Sequence, residues 1–190
     1  MRVISGKAKG LRLYSPEGIK TRPTADFIKE SLFNIIHADL AGCRFLDLFA
    51  GSGAIGIEAL SRGALYGCFV DVSNSCAALI YRNLEKARLL DTSGIMHMEA
   101  IAAIKKLKDD EPFDIIFLDP PYFYQKDVDV ALSTVKAIMQ HGLLARNGYI
   151  IMEMSIKHDI IEDEYNDIGL SIFRVKAYSN TQLIFLEEAN

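Results

Sequence analysis

The chain has 190 residues, with 21 Lys and Arg against 25 Asp and Glu, and half of its residues are hydrophobic. This length is enough for one domain with a substantial core. No apolar run approaches the roughly 20 residues that a membrane-spanning helix needs, and Met1 leads directly into a polar segment without the apolar stretch of a secretory signal. We therefore expect a soluble, cytoplasmic protein, and we expect a monomer.

The cysteines and histidines form neither a disulfide framework nor a metal site. Cys43, Cys68 and Cys76 are odd in number, and no two of them form a Cys-x-x-Cys pair. The four histidines are scattered without metal-ligand spacing. The sequence predicts reduced thiols and no metal.

The first 22 residues are basic, whereas the rest of the chain is acidic. Six basic residues and one acid give residues 1–22 a net charge of +5, so the other 168 residues carry −9 to reach the total of −4. The basic residues are Arg2, Lys7, Lys9, Arg12, Lys20 and Arg22. A basic arm on an acidic body is typical of a protein that contacts a phosphate backbone. The alternative is a solvated, lysine-rich edge strand that discourages aggregation.

The same arm predicts a small β-hairpin, because residues 3–6 and 11–14 flank the turn sequence Lys7-Ala8-Lys9-Gly10. We treat residues 1–22 as a basic hairpin extension and residues 23–190 as the main domain. Thr24 is a candidate N-cap for a helix over residues 24–40, which carries one apolar stripe.

From residue 44 onward, strand patterns alternate with helix patterns. Strands are predicted at 44–49, 65–72, 94–98, 113–118 and 149–154, and helices at 54–62, 75–89, 100–108 and 127–141. Residues 171–178 and 182–186 then read as a hairpin, so one strand must run against the others. We expect a Rossmann-like α/β sheet of seven strands, mostly parallel with one antiparallel strand near the C-terminus, and helices on both faces.

A glycine-rich loop follows the first predicted strand. Gly51, Gly53 and Gly56 have the G-x-G-x-x-G spacing of dinucleotide-binding loops, and Asp71 at the end of the second strand is placed to bind ribose hydroxyls. These features fit NAD formally. Asp47, four residues before Gly51, would repel a pyrophosphate and attract a cationic amino group. S-adenosylmethionine has an ammonium group and no phosphate, so Asp47 favours it over NAD.

Glu99, at the end of the third predicted strand, is placed to approach the adenine amine of that ligand. Alternatively, its charge favours the dipole of the helix that follows.

The fourth strand ends in the segment Asp119-Pro120-Pro121-Tyr122. Consecutive prolines end the strand and hold the chain extended. Asp119 and the Pro120 carbonyl can each accept one N–H of a planar exocyclic amine, which turns the nitrogen lone pair toward an electrophile, while Tyr122 stacks on the base. We therefore predict Asp119, Pro120 and Tyr122 as catalytic residues. The alternative is a turn in which Asp119 only caps backbone N–H groups.

Taken together, residues 47–53, Asp71 and residues 119–122 resemble class I S-adenosylmethionine-dependent methyltransferases that act on exocyclic amines. Residues 2–7 with Gly10, residues 21–26 and residues 30–34 resemble the RsmD family of bacterial 16S rRNA guanine-N2 methyltransferases. The resemblance extends from residue 2 to about residue 188. It implies methyl transfer from S-adenosylmethionine to a guanine N2 amine, with the 16S rRNA of the small ribosomal subunit or its assembly intermediate as partner.

The resemblance also assigns roles to individual residues. It implies that the cofactor is bound by Arg22, Thr24, Asp47, Phe49, Gly51, Gly53, Asp71, Glu99 and Asp119. It implies that RNA is contacted by Lys7, Lys9, Arg12, Pro121 and Tyr122. Ser73 stands where relatives often carry an acid, which leaves Asp71 as the ribose-binding acid.

Three other functions are consistent with parts of this pattern. An adenine-N6 methyltransferase acting on DNA or RNA would use the same 119–122 segment, but it would need a target-recognition domain for which 190 residues leave little room. An NAD-dependent oxidoreductase is disfavoured by Asp47. A ribosome-assembly factor that binds cofactor without turnover is disfavoured by the intact segment at residues 119–122.

Overall fold

The computed structural model of the protein describes residues 1–15, 23–120 and 126–189, and the side chains of all of these except residues 23–25 and 126–129. The chain divides into two compact units, Met1–Glu99 and Ala100–Asn190. The domain boundary that the sequence predicts at residue 22 lies outside the described residues.

The first unit contains three helices and three parallel strands. In chain order these are α1 (Pro23–Ile35), β1 (Arg44–Leu48), α2 (Ala54–Ser61), β2 (Tyr66–Asp71), α3 (Asn74–Ala87) and β3 (Ser93–His97). β2 pairs in parallel with β1 on one side and with β3 on the other. β1 and β2 are buried along most of their length, as expected for parallel strands covered on both faces.

The second unit contains the remaining helices and strands. They are α4 (Ala100–Leu107), β4 (Phe113–Leu118), α5 (Lys126–Gln140), β5 (Leu144–Ser155), α6 (Glu162–Asn166), β6 (Leu170–Ala177) and β7 (Thr181–Glu188). β4 and β5 are parallel, whereas β7 runs antiparallel to both β5 and β6.

The seven strands form one mixed sheet in the order β3-β2-β1-β4-β5-β7-β6. The predicted fold class is therefore confirmed, including the single reversed strand, which is β7. No helix in the described parts of the chain is both long enough and apolar enough to cross a membrane.

Two predicted elements had one boundary wrong by five residues, whereas the other predicted boundaries differ from the observed ones by two residues or fewer. The predicted helix over residues 24–40 ends at Ile35 and is followed by a short 3-10 turn, His37–Asp39. Ile36 and Leu40 are nevertheless buried, so the apolar stripe continued past the end of the helix. The helix begins at Pro23, which suits the first helical position, and Thr24 therefore lies inside its first turn rather than at the N-cap.

β5 begins at Leu144 rather than at residue 149. Asn147 and Gly148 lie within the strand, where Asn147 has φ 65° and the pairing with β4 shifts register. A Cβ at Gly148 would lie 2.8 Å from the Asp114 carbonyl oxygen. Glycine is therefore required at this position because β4 and β5 lie so close together, and β5 forms a bulge here.

The short helix α6 was not predicted from the sequence.

Candidate functional site

The loop between β1 and α2 has an unusual backbone. Phe49, Gly51 and Gly53 have φ of 65°, 55° and 76°. Glycine adopts this region freely, whereas a bulky residue such as Phe49 does so only at an energetic cost and mostly near functional sites. A Cβ on Gly51 would meet no atom within 4 Å. The loop is therefore tightly turned and open at Gly51, which suits a ligand lying against its backbone.

The carboxylate of Asp71 fixes this loop to the end of β2. Its Oδ2 accepts the Gly51 N–H at 2.8 Å, and its Oδ1 accepts the Ser73 N–H at 2.8 Å. Ser73 is the N-cap of α3, and its hydroxyl oxygen accepts the Cys76 N–H at 3.4 Å. Serine at this position therefore has a structural role in starting the helix. Each Asp71 oxygen keeps acceptor capacity for a further donor.

Asp47 lies beneath the loop. Its side chain is only 2% exposed, and its Oδ2 accepts the Gly56 N–H at 2.9 Å. Burial raises the pKa of Asp47 to about 7, and the negative charge of Asp71 acts in the same direction, while the hydrogen bond from Gly56 opposes the increase. Between about pH 4 and pH 7, the folded protein therefore holds a proton on Asp47 that an unfolded chain would release.

This proton predicts how stability depends on pH. The ordinary pKa of Asp47 is 3.8 and the folded value is about 7, so the folded state binds the proton more tightly. The contribution of Asp47 to stability is then greatest below pH 4 and is lost as the pH rises toward 7, by at most roughly 4 kcal/mol. We expect Asp47→Asn to remove this loss. Urea unfolding of both proteins from pH 4 to 8 measures it, and stability curves that stay parallel across that range would contradict it.

Several N–H groups of the loop are already bonded within the protein. The Gly53 N–H donates to the Ala50 carbonyl at 2.7 Å, and the Gly51 and Gly56 N–H groups are accepted by the two carboxylates. A pyrophosphate-binding loop instead turns such N–H groups toward the ligand, without carboxylates beside them. The loop therefore fits a ligand that carries positive charge and no phosphate.

Gly56 serves packing rather than ligand contact. A Cβ at this position would lie 2.4 Å from Cε1 of Phe69. The third glycine of the motif thus allows α2 to lie close against β2, which holds the start of the helix at the strand ends.

Glu99 is exposed and lies between β3 and α4. The N–H of the preceding residue, Met98, donates to the Asp71 backbone carbonyl at 3.1 Å, so Glu99 lies close along the chain to the same strand ends as Asp71. In the second unit, Asp119 is half-buried and Pro120 is buried, directly after β4.

Four predicted site residues have no described side chain. Arg22, Pro121 and Tyr122 lie outside the described residues, and of Thr24 only the backbone is described.

The N-terminal arm packs on the helix that follows the loop. Arg2 and Arg12 form one antiparallel bridge, and the Lys7 N–H donates to the Ser61 carbonyl at 2.8 Å. Gly6 has φ 82°, and a Cβ there would lie 1.8 Å from the same carbonyl oxygen. The backbone of the arm is therefore held against α2. The predicted RNA-contacting residues Lys7, Lys9 and Arg12 are exposed.

Sequence reasoning missed Glu58, which anchors this arm. Its side chain is fully buried and accepts the Ile4 and Ser5 N–H groups at 2.8 and 2.9 Å. It also forms ion pairs with Lys29 at 3.4 Å and Arg62 at 2.8 Å. A single acid in the otherwise apolar helix Ala54–Ser61 was the one signal for this role.

Among the residues that the structure describes, no group of three or more His, Cys, Asp and Glu side chains is arranged to hold a metal ion.

Comparison with known proteins identifies the family. The family described as "Conserved hypothetical protein 95" matches residues 1–187. The chain belongs to this family. YlbH of Bacillus subtilis is 41% identical over 154 residues, covering 80% of this chain and 82% of YlbH. "Ribosomal RNA small subunit methyltransferase D" of Buchnera aphidicola (subsp. Acyrthosiphon pisum) is 30% identical over 159 residues, covering 84% of this chain and 80% of the relative. The resemblance to RsmD is confirmed.

Solved structures support the fold assignment for this family member. The Escherichia coli protein yhhF matches with a TM-score of 0.82 at 22% identity, covering 100% of this chain and 98% of yhhF. Magnesium protoporphyrin IX methyltransferase from Synechocystis PCC 6803, solved with bound SAM, matches with a TM-score of 0.70 at 15% identity, covering 90% of this chain and 87% of that protein. The chain therefore has a methyltransferase fold.

Proposed function

We propose that this protein transfers a methyl group from S-adenosylmethionine to the exocyclic N2 amine of one guanine in 16S rRNA, in the small ribosomal subunit or its assembly intermediate. Its family relatives include proteins named ribosomal RNA small subunit methyltransferase D. The observation that carries the cofactor choice is the pair of carboxylates, Asp47 and Asp71, bonded to the glycine loop.

The residues of the first unit fit S-adenosylmethionine, which supplies an electrophilic methyl group on a sulfonium when bound. The open backbone at Gly51 would lie against its methionine portion, and Asp71 would accept from ribose hydroxyls with its remaining lone pairs. The charge of Asp47 favours an ammonium group nearby, and the ammonium would in turn favour the ionised form of this carboxyl. Glu99 would accept from the adenine amine, with Phe49, Arg22 and Thr24 completing the contacts.

The residues after β4 would hold the acceptor amine. A guanine N2 amine is a weak nucleophile, because its lone pair is delocalised into the ring. Asp119 Oδ and the Pro120 carbonyl oxygen would each accept one N–H, which frees the lone pair, and Tyr122 would stack on a base extruded from its helix or loop. The chemistry requires no strong base, because the N–H becomes acidic only after the nitrogen gains the methyl group. Orientation of the amine thus supplies much of the acceleration.

Mass spectrometry of 16S rRNA tests this function. We expect rRNA from a strain lacking this gene to lack one N2-methylguanine, and purified protein with S-adenosylmethionine to restore it on small-subunit particles from that strain. Isothermal titration should show binding of S-adenosylmethionine and none of NAD. An unchanged set of methylated guanines in the deletion strain would overturn the proposed substrate, and the loss of a methylated adenine instead would identify the enzyme as an adenine-N6 methyltransferase.

A further inference from the structure

Tyr14 lies at the end of the N-terminal arm, beside two cations of α3. The Cζ of Arg82 is 4.5 Å from the centroid of its ring, and Nζ of Lys86 is 4.2 Å from it. Arg82 and Lys86 are one helical turn apart and both are exposed, and Tyr14 itself is 42% exposed. We propose that this surface binds a single-stranded segment of the substrate rRNA. We call it the Tyr14 platform, and it consists of Tyr14, Arg82 and Lys86. This inference rests on the proposed function.

The backbone of Tyr14 is held in place by a buried amide. Asn83 is fully buried, its Oδ1 accepts the Tyr14 N–H at 2.8 Å, and its Nδ2 donates to the Tyr14 carbonyl at 3.1 Å. The ring is therefore presented from a fixed backbone, even though it lies near the end of the arm. A preorganised aromatic side chain loses little conformational freedom when a ligand stacks on it.

The charges around Tyr14 suit a phosphate backbone. Lys86 Nζ donates to the Arg12 carbonyl at 2.7 Å, and its ammonium has two further N–H donors. Arg12 is itself exposed, so three basic residues meet at this surface, with Glu85 as the neighbouring acid on α3. The cations can bind the phosphates of a nucleic-acid strand while the neighbouring aromatic ring stacks on one of its bases.

The platform is also tied to the glycine loop. Asn83 Nδ2 donates to the Ser52 carbonyl at 2.9 Å as well as to Tyr14. One buried side chain thus joins the arm, α3 and the loop within the first unit. RNA bound to the platform would therefore be held at a fixed position relative to the loop.

Binding of small-subunit particles, prepared from a strain lacking this gene, tests the inference. We expect Arg82→Ala with Lys86→Ala to raise the Kd about tenfold, and to reduce the slope of log K against log salt by about 1 to 2, because two phosphate contacts are lost. The matched control is Lys105→Ala with Lys106→Ala, which removes the same charge from exposed positions of α4 and should change the Kd less than about twofold.

The ring is tested separately from the charges. Tyr14→Leu should raise the Kd about tenfold, whereas Tyr14→Phe keeps the stacking surface and should bind as the native protein does. Methyl transfer at particle concentrations well below the Kd should fall in proportion to the loss of binding in the Arg82 and Lys86 variant, and it should stay unchanged in the Lys105 and Lys106 control. Thermal unfolding of each variant confirms that it is folded.

The outcomes separate the two proposals. Equal Kd values for small-subunit particles in the Arg82 and Lys86 variant and in its control would overturn the proposal that the Tyr14 platform binds RNA. A loss seen with particles but not with protein-free 16S rRNA would assign the surface to a ribosomal protein and overturn it as well. If the native protein binds particles but transfers no methyl group, the proposed function fails while a confirmed loss of binding supports the platform. If it binds neither particles nor rRNA, both fail.

Discussion

Replacing Asp119 with alanine should lower methyl transfer to small-subunit particles by about 10²- to 10³-fold or more. The side chain follows β4 directly and is half-buried. Under the proposed function, its oxygen accepts one N–H of the guanine amine, and loss of this acceptor leaves the nitrogen lone pair delocalised into the ring. The glycine loop is unaltered, so the Kd for S-adenosylmethionine should change little. Single-turnover transfer from radiolabelled S-adenosylmethionine, together with isothermal titration, measures the two quantities.

Two further variants make this result specific. Asp119→Asn keeps the shape of the side chain but replaces one acceptor oxygen with a donor, so transfer should again fall strongly. Asp109→Ala removes an acid from an exposed position after α4 and should leave transfer unchanged. Near-native transfer by Asp119→Ala would exclude this carboxylate from the chemistry, and a loss of transfer that follows a loss of cofactor binding would place it in the cofactor site instead.

The strand that precedes Asp119 shows why the fold could be predicted from the sequence. Phe113–Leu118 is apolar except for Asp114 and ends at Asp119-Pro120, and the observed β4 has those same limits. The run is limited by two local features, apolar composition and proline, so no knowledge of distant residues was needed. The reversed strand β7 was also predictable from a local feature. The connection between β6 and β7 is short, so the two strands must be antiparallel.

The orientation of the loop carboxylates could not be predicted in the same way. The spacing of the glycines indicated that Asp47 and Asp71 lie near the loop, and the structure places both there. Their hydrogen bonds to Gly51 and Gly56 depend on the path of the backbone through positive φ at Phe49, which no residue pattern specified. The spacing of the glycines therefore predicted where the two acids lie. The conformation of the loop determines which of their oxygens can still accept a hydrogen bond from a ligand.

Contacts between distant segments were the least predictable part of the site. Asn83 binds Tyr14, 69 residues earlier in the chain, and Glu58 binds Ile4 across 54 residues. Each is a buried polar residue on a helix whose periodicity indicates only which side is buried. Tertiary packing determines which residue each of them contacts, and the periodicity of one helix cannot predict that contact.

Replacing Glu58 with alanine should reduce the free energy of unfolding by about 3–5 kcal/mol. The carboxylate is fully buried and is the shared partner of two cations, Lys29 at 3.4 Å and Arg62 at 2.8 Å. Its removal leaves Lys29, whose pKa is already lowered by burial, with only the smaller opposing effect of the Asp26 charge. The Ile4 and Ser5 N–H groups lose their acceptors at the same time. Urea unfolding gives the free energy, and hydrogen exchange at Ile4 and Ser5 should become faster.

The comparison with Glu58→Gln separates charge from hydrogen bonding. Glutamine keeps one acceptor oxygen for the arm but no charge for Lys29 and Arg62, so its loss of stability should lie between those of the native protein and the alanine variant. Glu85→Ala, at an exposed position of α3, should change stability by less than about 0.5 kcal/mol. A loss below about 1 kcal/mol for Glu58→Ala would mean that water replaces the carboxylate at no great cost. Glu58 would then not be the main attachment of the arm to α2, and the hydrogen bonds of Ser61 with Ser5, Lys7 and Ala8 would take that role.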